Sequence, residues 1–362
     1  MACCCRCLGR RHLLRRKGRG AKPEATDSPE PSMDTEPSTE RPLELEELEG
    51  SEGSGEAPGE ATDVECSSPH DSEGGQESVW KRLGHQESRQ LSSLLCRPGW
   101  IKELELGSSA LGDAALSALA EWIRGNSTVQ NIILSSNQIG DKGARSLAKS
   151  LRSISGTLLE LSLNGNIIGD AGASALADWL RCSGSLQKLG LNDNWIGDVG
   201  ARALAKGLRC SRNLRELDLS VNGIGDVGAS AQAEWLRKCN SLHSLNLSDN
   251  RIGDAGASAL AGGLRGSCAL QHLDLSVNVI GDDGASALAE RLCSCSTVRF
   301  LNLSANEICN TGASALAGAL RSNSELQGLN LTFNQIDCEA QRVLAEEPRI
   351  DCTRQRLVLQ GS

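Results

Sequence analysis

The segment SLHSLNLSDNRIGDAGASAL, residues 241–260 of this 362-residue chain, predicts the fold because it is one copy of a repeating pattern. The pattern Leu-x-x-Leu-x-Leu-x-x-Asn, with Val or Ile at some leucine positions, occurs eight times; one spacing is 29 residues and six are 28. Its final residues are Asn137, Asn166, Asn194, Asn222, Asn250, Asn278, Asn306 and Asn334. A further copy runs from Ile101 to Ser109, so we count nine repeats. A constant period in this range indicates an array of stacked modules.

Each repeat combines a strand pattern with a helix pattern. The Leu-x-Leu alternation has the period of a strand, whereas the later stretch, such as GASALADWLR at residues 172–181, has apolar residues at helical spacing. Modules of this kind stack side by side and form one parallel sheet. The predicted fold class is therefore α/β: a solenoid of nine strand–helix repeats preceded by a disordered tail.

The recurring polar residues have structural interpretations. We expect each asparagine amide to bond the turn of its own repeat and of the next one. The aspartate of the Ile-Gly-Asp motif, as at Asp170, is expected to cap the helix that it precedes. An arginine such as Arg181 closes most helices, where it complements the helix dipole; a basic stripe that contacts nucleic acid is the alternative. Trp122, Trp179 and Trp235 share one helical site in alternate repeats, which favours large–small packing between neighbouring helices.

Charge and composition divide the chain into segments. Residues 1–22 form a basic, cysteine-rich N-terminus, and residues 23–79 form an acidic segment that we expect to be disordered. Residues 80–100 fit a capping helix, residues 101–345 hold the repeats, and residues 346–362 are a C-terminal cap and tail. The part from residue 80 onward carries 28 charges of each sign, so we expect no binding driven by nucleic-acid phosphates.

Fifteen cysteines occur in a chain that has no apolar secretory signal, so free thiols are expected. Five of them recur near the helix-to-strand turn and are interpreted as small buried hydrophobes, since a zinc site would need clustered ligands. These are Cys182, Cys210, Cys239, Cys268 and Cys295.

The N-terminus carries the most specific signal outside the repeats. Cys3, Cys4, Cys5 and Cys7 precede a run of arginines, a combination that favours S-acylation together with a polybasic membrane contact. A nuclear-localisation run, a mitochondrial presequence and a tail without a role are the other interpretations. No apolar run approaches the roughly 18 residues of a membrane span, so we expect a cytoplasmic protein that acylation would hold at a membrane.

The repeats resemble the leucine-rich repeats of ribonuclease inhibitor and of NOD-like receptors, over about two thirds of the chain from Ile101 to Leu344. The nucleotide-binding half of a NOD-like receptor has no counterpart, because no Gly-x-x-x-x-Gly-Lys-Ser/Thr motif occurs. The resemblance implies a horseshoe whose concave face is the parallel sheet.

Strand alternation places the residues that flank the core leucines on this concave face. The surface is polar and mildly acidic, and Phe300 is the aromatic residue within it. Trp195 and Phe333 lie at the edge where strands end and are candidate anchors. The candidate partner-binding residues are Glu160, Lys188, Trp195, Glu216, Asp218, Asn246, His272, Asp274 and Phe300.

The inventory of reactive residues does not suggest an enzyme. No nucleophile–histidine–acid arrangement or His-Glu-x-x-His motif is present, so we expect no catalytic, cofactor or metal site. The leading hypothesis is a monomeric interaction scaffold that binds a protein partner on its concave face. The alternative is a regulator of an enzyme: an inhibitor, as ribonuclease inhibitor is, or an activator of a small GTPase.

Overall fold

The computed structural model describes residues 101–265, 269–294 and 297–352. Within them, short strands and helices alternate, and the ten strands form one parallel sheet in chain order. The strands are β1 (Glu103–Glu105), β2 (Asn131–Ile133), β3 (Glu160–Ser162), β4 (Lys188–Gly190), β5 (Glu216–Asp218), β6 (Ser244–Asn246), β7 (His272–Asp274), β8 (Phe300–Asn302), β9 (Gly328–Asn330) and β10 (Ile350–Asp351). The helices are α1 (Gly112–Gly125), α2 (Asp141–Leu151), α3 (Asp170–Leu180), α4 (Asp198–Leu208), α5 (Asp226–Leu236), α6 (Asp254–Gly263), α7 (Asp282–Leu292), α8 (Asn310–Ser322) and α9 (Cys338–Leu344). This architecture confirms the predicted solenoid of strand–helix units.

Some predictions concern residues outside the described part of the chain. They are the basic and acidic segments and the capping helix within residues 1–100, together with Cys268, Cys295 and the tail from residue 353 onward.

The core lies between the sheet and the helices. In each of the three-residue strands the central side chain faces the helices, as does Leu217 at 2% exposure, while its two neighbours face the other way. Alanine and leucine side chains of the helices, such as Ala173 and Leu176, complete the core without exposed area. Burial of each leucine side chain contributes roughly 1.5–3 kcal/mol, so a stack of these repeats is stabilised along its whole length.

The asparagines join each turn to the turn before it. The Asn250 amide nitrogen donates to the carbonyl of Leu247 in its own repeat and to that of Leu219 in the preceding repeat, both at 3.0 Å. Its Oδ1 accepts from the backbone nitrogen of Ile224, also in the preceding repeat, at 3.0 Å. The predicted bond to the same repeat is confirmed, and the predicted bond to the next repeat is wrong. The backbone groups of each turn thus bond to the asparagine of the following repeat. In the first copy, Asn137 accepts from the backbone nitrogens of Ser109 and Leu111, so this copy can end in serine.

The aspartates of the Ile-Gly-Asp motif cap the following helix and not their own. Asp170 is the first residue of α3, and its Oδ1 accepts from the backbone nitrogens of Gly197 and Gly200 at the start of α4, both at 2.8 Å. The expectation that each aspartate caps its own helix is therefore wrong. A Cβ atom at Gly200 would lie 2.7 Å from this oxygen, which is why glycine follows the motif.

The helices alternate large and small residues where they meet. Trp179 and Trp235 are buried on α3 and α5, while the same site holds Gly207 on α4 and Gly263 on α6. A Cβ atom at Gly263 would lie 2.8 Å from the carbonyl oxygen of Ala233, so the α5 and α6 backbones touch there. The predicted large–small packing is confirmed.

The cysteines near the turns do not share one environment. Cys239 is buried, as predicted, but Cys182 and Cys210 are exposed. The interpretation of these two as buried hydrophobes is wrong, because they follow the last helical turn where the chain faces solvent. The Cys182 thiol lies 3.0 Å from the carbonyl oxygen of Trp179.

A tenth strand extends the sheet within residues 346–352, where the sequence analysis placed a cap. Ile350 and Asp351 of β10 pair in parallel with Leu329 and Asn330 of β9. The alternation of Ile350 and Cys352, both buried, was a signal for this strand.

Candidate protein-binding surface

The candidate surface is the face of the sheet that points away from the helices. Strand pairing puts the outer residues of successive strands into two ladders, so residues of one position in different repeats become neighbours. The first ladder contains Glu103, Asn131, Glu160, Lys188, Glu216, Ser244, His272, Phe300 and Gly328 in that order. The second contains Glu105, Ile133, Ser162, Gly190, Asp218, Asn246, Asp274, Asn302, Asn330 and Asp351. Eight of the nine candidate residues thus lie on one surface, and Trp195 lies outside the ladders.

This face is acidic. Its strand residues carry seven carboxylates and one ammonium group, a net charge of −6. Asp351, which the sequence analysis did not assign to this surface, adds one of these charges because β10 continues the second ladder. A surface of one charge sign attracts partners of the opposite sign and speeds their association.

Lys188 is paired within the surface. Its Nζ lies 3.3 Å from Oε2 of Glu216, and both side chains are about half exposed. An ion pair this exposed contributes roughly 0–1 kcal/mol, so it orients the two side chains more than it stabilises the fold. The remaining carboxylates dominate the charge of the face.

Residues of the second ladder are held by local hydrogen bonds. Oδ1 of Asp218 accepts from the backbone nitrogen of Ser220 at 3.0 Å and from its hydroxyl at 2.6 Å. Asp274 binds Ser276 in the same way, and its Oδ2 accepts from the Asn302 amide at 3.0 Å. Side chains fixed in this way lose little freedom when they bind a partner.

An aromatic pair forms the apolar part of the face. The rings of His272 and Phe300 stack with centroids 5.0 Å apart and planes 9° apart. Phe300 leans over Gly328, where a Cβ atom would lie 3.0 Å from its Cδ1, yet the side chain remains 44% exposed. The sequence identified both residues separately; their equal repeat position, 28 residues apart, was the signal for the stack.

The stacked rings of His272 and Phe300 line a groove of about 600 Å³ at the β10 end of the sheet. Candidate residues Asn246 and Asp274 line it on one side, toward β6 and β7, and Pro348 and Asp351 line it on the far side, at β10. The repeat pattern did not predict these last two residues, because they belong to an irregular segment that strand pairing brings to the groove.

Arg349 fixes that far side. Its guanidinium donates to the carbonyl oxygens of Leu320, Asn323 and Leu326 at 3.0, 2.9 and 3.2 Å, which closes the end of α8. Its Nε lies 2.8 Å from Oε1 of Glu347, and this hydrogen bond lowers the pKa of the Glu347 carboxyl. Arg349 therefore supports the wall of the groove.

Trp195 and Phe333 lie in the turns that follow the strands. Trp195 is 54% exposed, beside Ile167 at the same position of the previous repeat. Phe333 is 48% exposed and has a φ of 59°. Trp195 therefore lies in the turn after β4, whereas the groove is lined by residues of β6 to β10.

The described part of the chain shows neither a metal-binding cluster nor a membrane-spanning helix. Its His, Cys, Asp and Glu side chains form no group that could hold a metal ion. In the same residues, every helix is too short or too polar to cross a bilayer.

Comparison with known proteins agrees with the architecture. The Leucine Rich repeat family matches seven segments: residues 125–148, 156–177, 184–205, 210–231, 238–261, 266–289 and 294–317. No curated protein matches the chain. Among solved structures, leiomodin-1 actin-binding site 2 is similar, with 18% identity and a TM-score of 0.34 over 42% of this chain and 87% of that one.

Proposed function

Because this chain is a leucine-rich repeat protein, we propose that it is a non-enzymatic scaffold that binds a basic protein partner on its sheet face. Leucine-rich repeats generally mediate protein–protein interaction. The observation that carries the proposal is the net charge of −6 on that face, together with the exposed ring of Phe300 in a groove that Asp274 and Asp351 also line.

The geometry of the stack supports binding on this side. Neighbouring strands lie about 4.8 Å apart, whereas packed helices need about 8–10 Å, so a stack of strand–helix units curves with its sheet on the inner side. The sheet face then becomes concave and contacts a partner over several repeats. A lysine or arginine of the partner would fit the groove, because it can lie over the Phe300 ring and pair with the carboxylates.

Affinity purification with quantitative mass spectrometry tests this function. The test variant Glu160→Lys/Glu216→Lys/Phe300→Ala changes one half-buried and two exposed residues of the sheet face and should reduce recovery of the main partners by about tenfold or more. The control Asp178→Lys/Glu234→Lys reverses two exposed carboxylates on helices and should leave recovery unchanged. Equal recovery with both variants would remove the sheet face from the proposal.

The acidic face also suits a basic enzyme as the partner, which keeps a regulatory function as the second candidate. Purified protein added to a ribonuclease and to GTP-loaded small GTPases tests it directly. A change in either rate that the sheet-face variant abolishes would favour regulation over scaffolding.

We also propose that the protein is cytoplasmic and that acylation of its N-terminal cysteines attaches it to membranes. The support is the cysteine cluster beside eight Lys and Arg residues within residues 1–23. Replacing Cys3, Cys4, Cys5 and Cys7 by serine should abolish metabolic labelling with a palmitate analogue. Unchanged labelling would contradict this assignment.

A further inference from the structure

The outer sides of the helices carry an uneven charge distribution. In each of helices α2 to α8, the second, fifth, ninth and twelfth residues, counted from the first residue of the helix, follow the spacing of one helix face. These positions point away from the sheet and are exposed or half-buried.

Helices α2 to α4 concentrate positive charge at these positions. On α2 and the residue that follows it, all four are cationic: Lys142, Arg145, Lys149 and Arg152. On α4, three of the four are Arg202, Lys206 and Arg209. The intervening α3 contributes Arg181 and one acid, Asp178, so these three helices present eight cations and one carboxylate; we call this surface the outer basic patch.

The remaining helices show that the patch is local. At the same positions, α5 to α8 carry three arginines, Arg237, Arg265 and Arg321, and three acids, Glu234, Asp283 and Glu290. Within the patch, Arg209 forms an exposed ion pair with Glu234 of α5 at 3.3 Å, and this pair neutralises one of the eight positive charges. Most of the patch charge therefore faces solvent.

We propose that the outer basic patch binds an anionic lipid bilayer. A polybasic surface gains about 1 kcal/mol per Lys or Arg at such a membrane without needing a shaped pocket. The outward positions of α2 to α4 hold no aromatic residue on which unpaired bases could stack, and the cysteine cluster near the N-terminus is a second feature suited to lipid. These observations favour lipid over single-stranded nucleic acid, and duplex nucleic acid is an outcome of the test below.

The charge distribution also sets the orientation. The acidic sheet face and the outer basic patch lie on opposite sides of the helix layer, so a negative membrane attracts one and repels the other. The patch therefore holds the repeats with the sheet face toward the cytosol. This inference concerns a different surface from the proposed function and can fail independently of it.

Co-sedimentation of the full chain with vesicles of phosphatidylserine and phosphatidylcholine tests the proposal. The patch variant is Arg145→Gln/Lys149→Gln/Arg202→Gln. The matched control, Arg237→Gln/Arg265→Gln/Arg321→Gln, removes the same number of charges from α8 and from the residues just after α5 and α6. Protein made in bacteria carries no acyl chain, and both variants keep the basic N-terminus. We expect the patch variant to bind at least about tenfold more weakly than the control, and neither to bind pure phosphatidylcholine.

Three results would overturn the proposal. They are equal vesicle binding by the two variants, no vesicle binding by the unmodified sequence, and a patch variant that loses binding to duplex RNA while it keeps binding to vesicles. The last result would assign the patch to nucleic acid. Because the sheet-face carboxylates are intact in both variants, partner recovery remains a separate measurement.

Discussion

Asn310 donates its side-chain amide to Oδ2 of Asp337 at 2.6 Å, across the junction between α8 and α9. Asn310 Oδ1 in turn accepts from the backbone nitrogen of Asp337 at 3.0 Å. At the start of each of α2 to α7, an aspartate occupies the position of Asn310 and faces glycine or cysteine nitrogens of the next repeat. Asp337 caps α9, because its Oδ1 accepts from the backbone nitrogen of Ala340. An aspartate at position 310 would place a second carboxylate against that of Asp337, and asparagine avoids this repulsion.

Replacing Asn310 with aspartate should therefore weaken the last helix at neutral pH. The pKa of Asp337 is lowered by its hydrogen bonds from Ala340 and Asn310, so these bonds stabilise the fold above the ordinary carboxyl pKa and are lost as pH falls through the lowered value. In Asn310→Asp the two carboxylates repel each other at pH 7 but not when one is protonated, near pH 4. Hydrogen exchange of the α9 amides should show faster opening than in the parent at pH 7, with the difference shrinking toward pH 4. The double variant Asn310→Asp/Asp337→Asn exchanges the two roles and should recover most of the protection; continued fast exchange would show that charge repulsion is not the cause.

Removing one inter-repeat cap should cost measurable stability in the middle of the stack. Asp170→Ala leaves the nitrogens of Gly197 and Gly200 without their acceptor, and we expect a loss of about 1–2 kcal/mol in the free energy of unfolding. Asp170→Asn keeps an acceptor oxygen and should lose less. Denaturant titration measures both, with Asp178→Ala, an exposed change on the same helix, as the control. A loss for Asp178→Ala as large as for Asp170→Ala would count against the capping role.

Two glycines inside helices should respond in opposite directions to a methyl group. Gly207 on α4 lies against the backbone of Ala177, whereas a Cβ atom at Gly262 on α6 would have no neighbour within 4 Å. Gly207→Ala should destabilise by about 1–3 kcal/mol through overpacking, and Gly262→Ala should stabilise by about 0.5–1 kcal/mol through helix propensity. Thermal denaturation distinguishes the two, and equal shifts would contradict the close contact between α3 and α4.

Replacing Val221 with a residue that favours a positive φ should stabilise the fold. It lies at the strand-exit turn with a φ of 53°, a region costly for a β-branched side chain, and the same position is Asp193 or Asp249 in neighbouring repeats. Val221→Asn is expected to raise the free energy of unfolding by about 1 kcal/mol. Val279→Asn, at another exposed valine outside the positive-φ positions, is the control and should bring no gain. Equal effects would show that backbone conformation is not responsible.

The repeat architecture could be predicted from the amino-acid pattern. A core position needs only an apolar side chain at the right spacing, and the Leu and Asn positions recur often enough that strand, turn and helix follow from the period alone. The residues of the sheet face could also be predicted, because strand alternation identifies the residues that flank Leu217 or Leu273.

The repeat to which each polar side chain bonds became known from the three-dimensional arrangement. A spacing of 28 residues predicts that repeats touch, but it does not say that Asp170 reaches forward to Gly197 or that Asn250 reaches back to Leu219. The exposure of Cys182 and the placement of Asp351 beside Asn330 were likewise beyond the pattern. The physical reason is that a local pattern fixes where a side chain points along its own segment, whereas its partner depends on how neighbouring segments align when they stack.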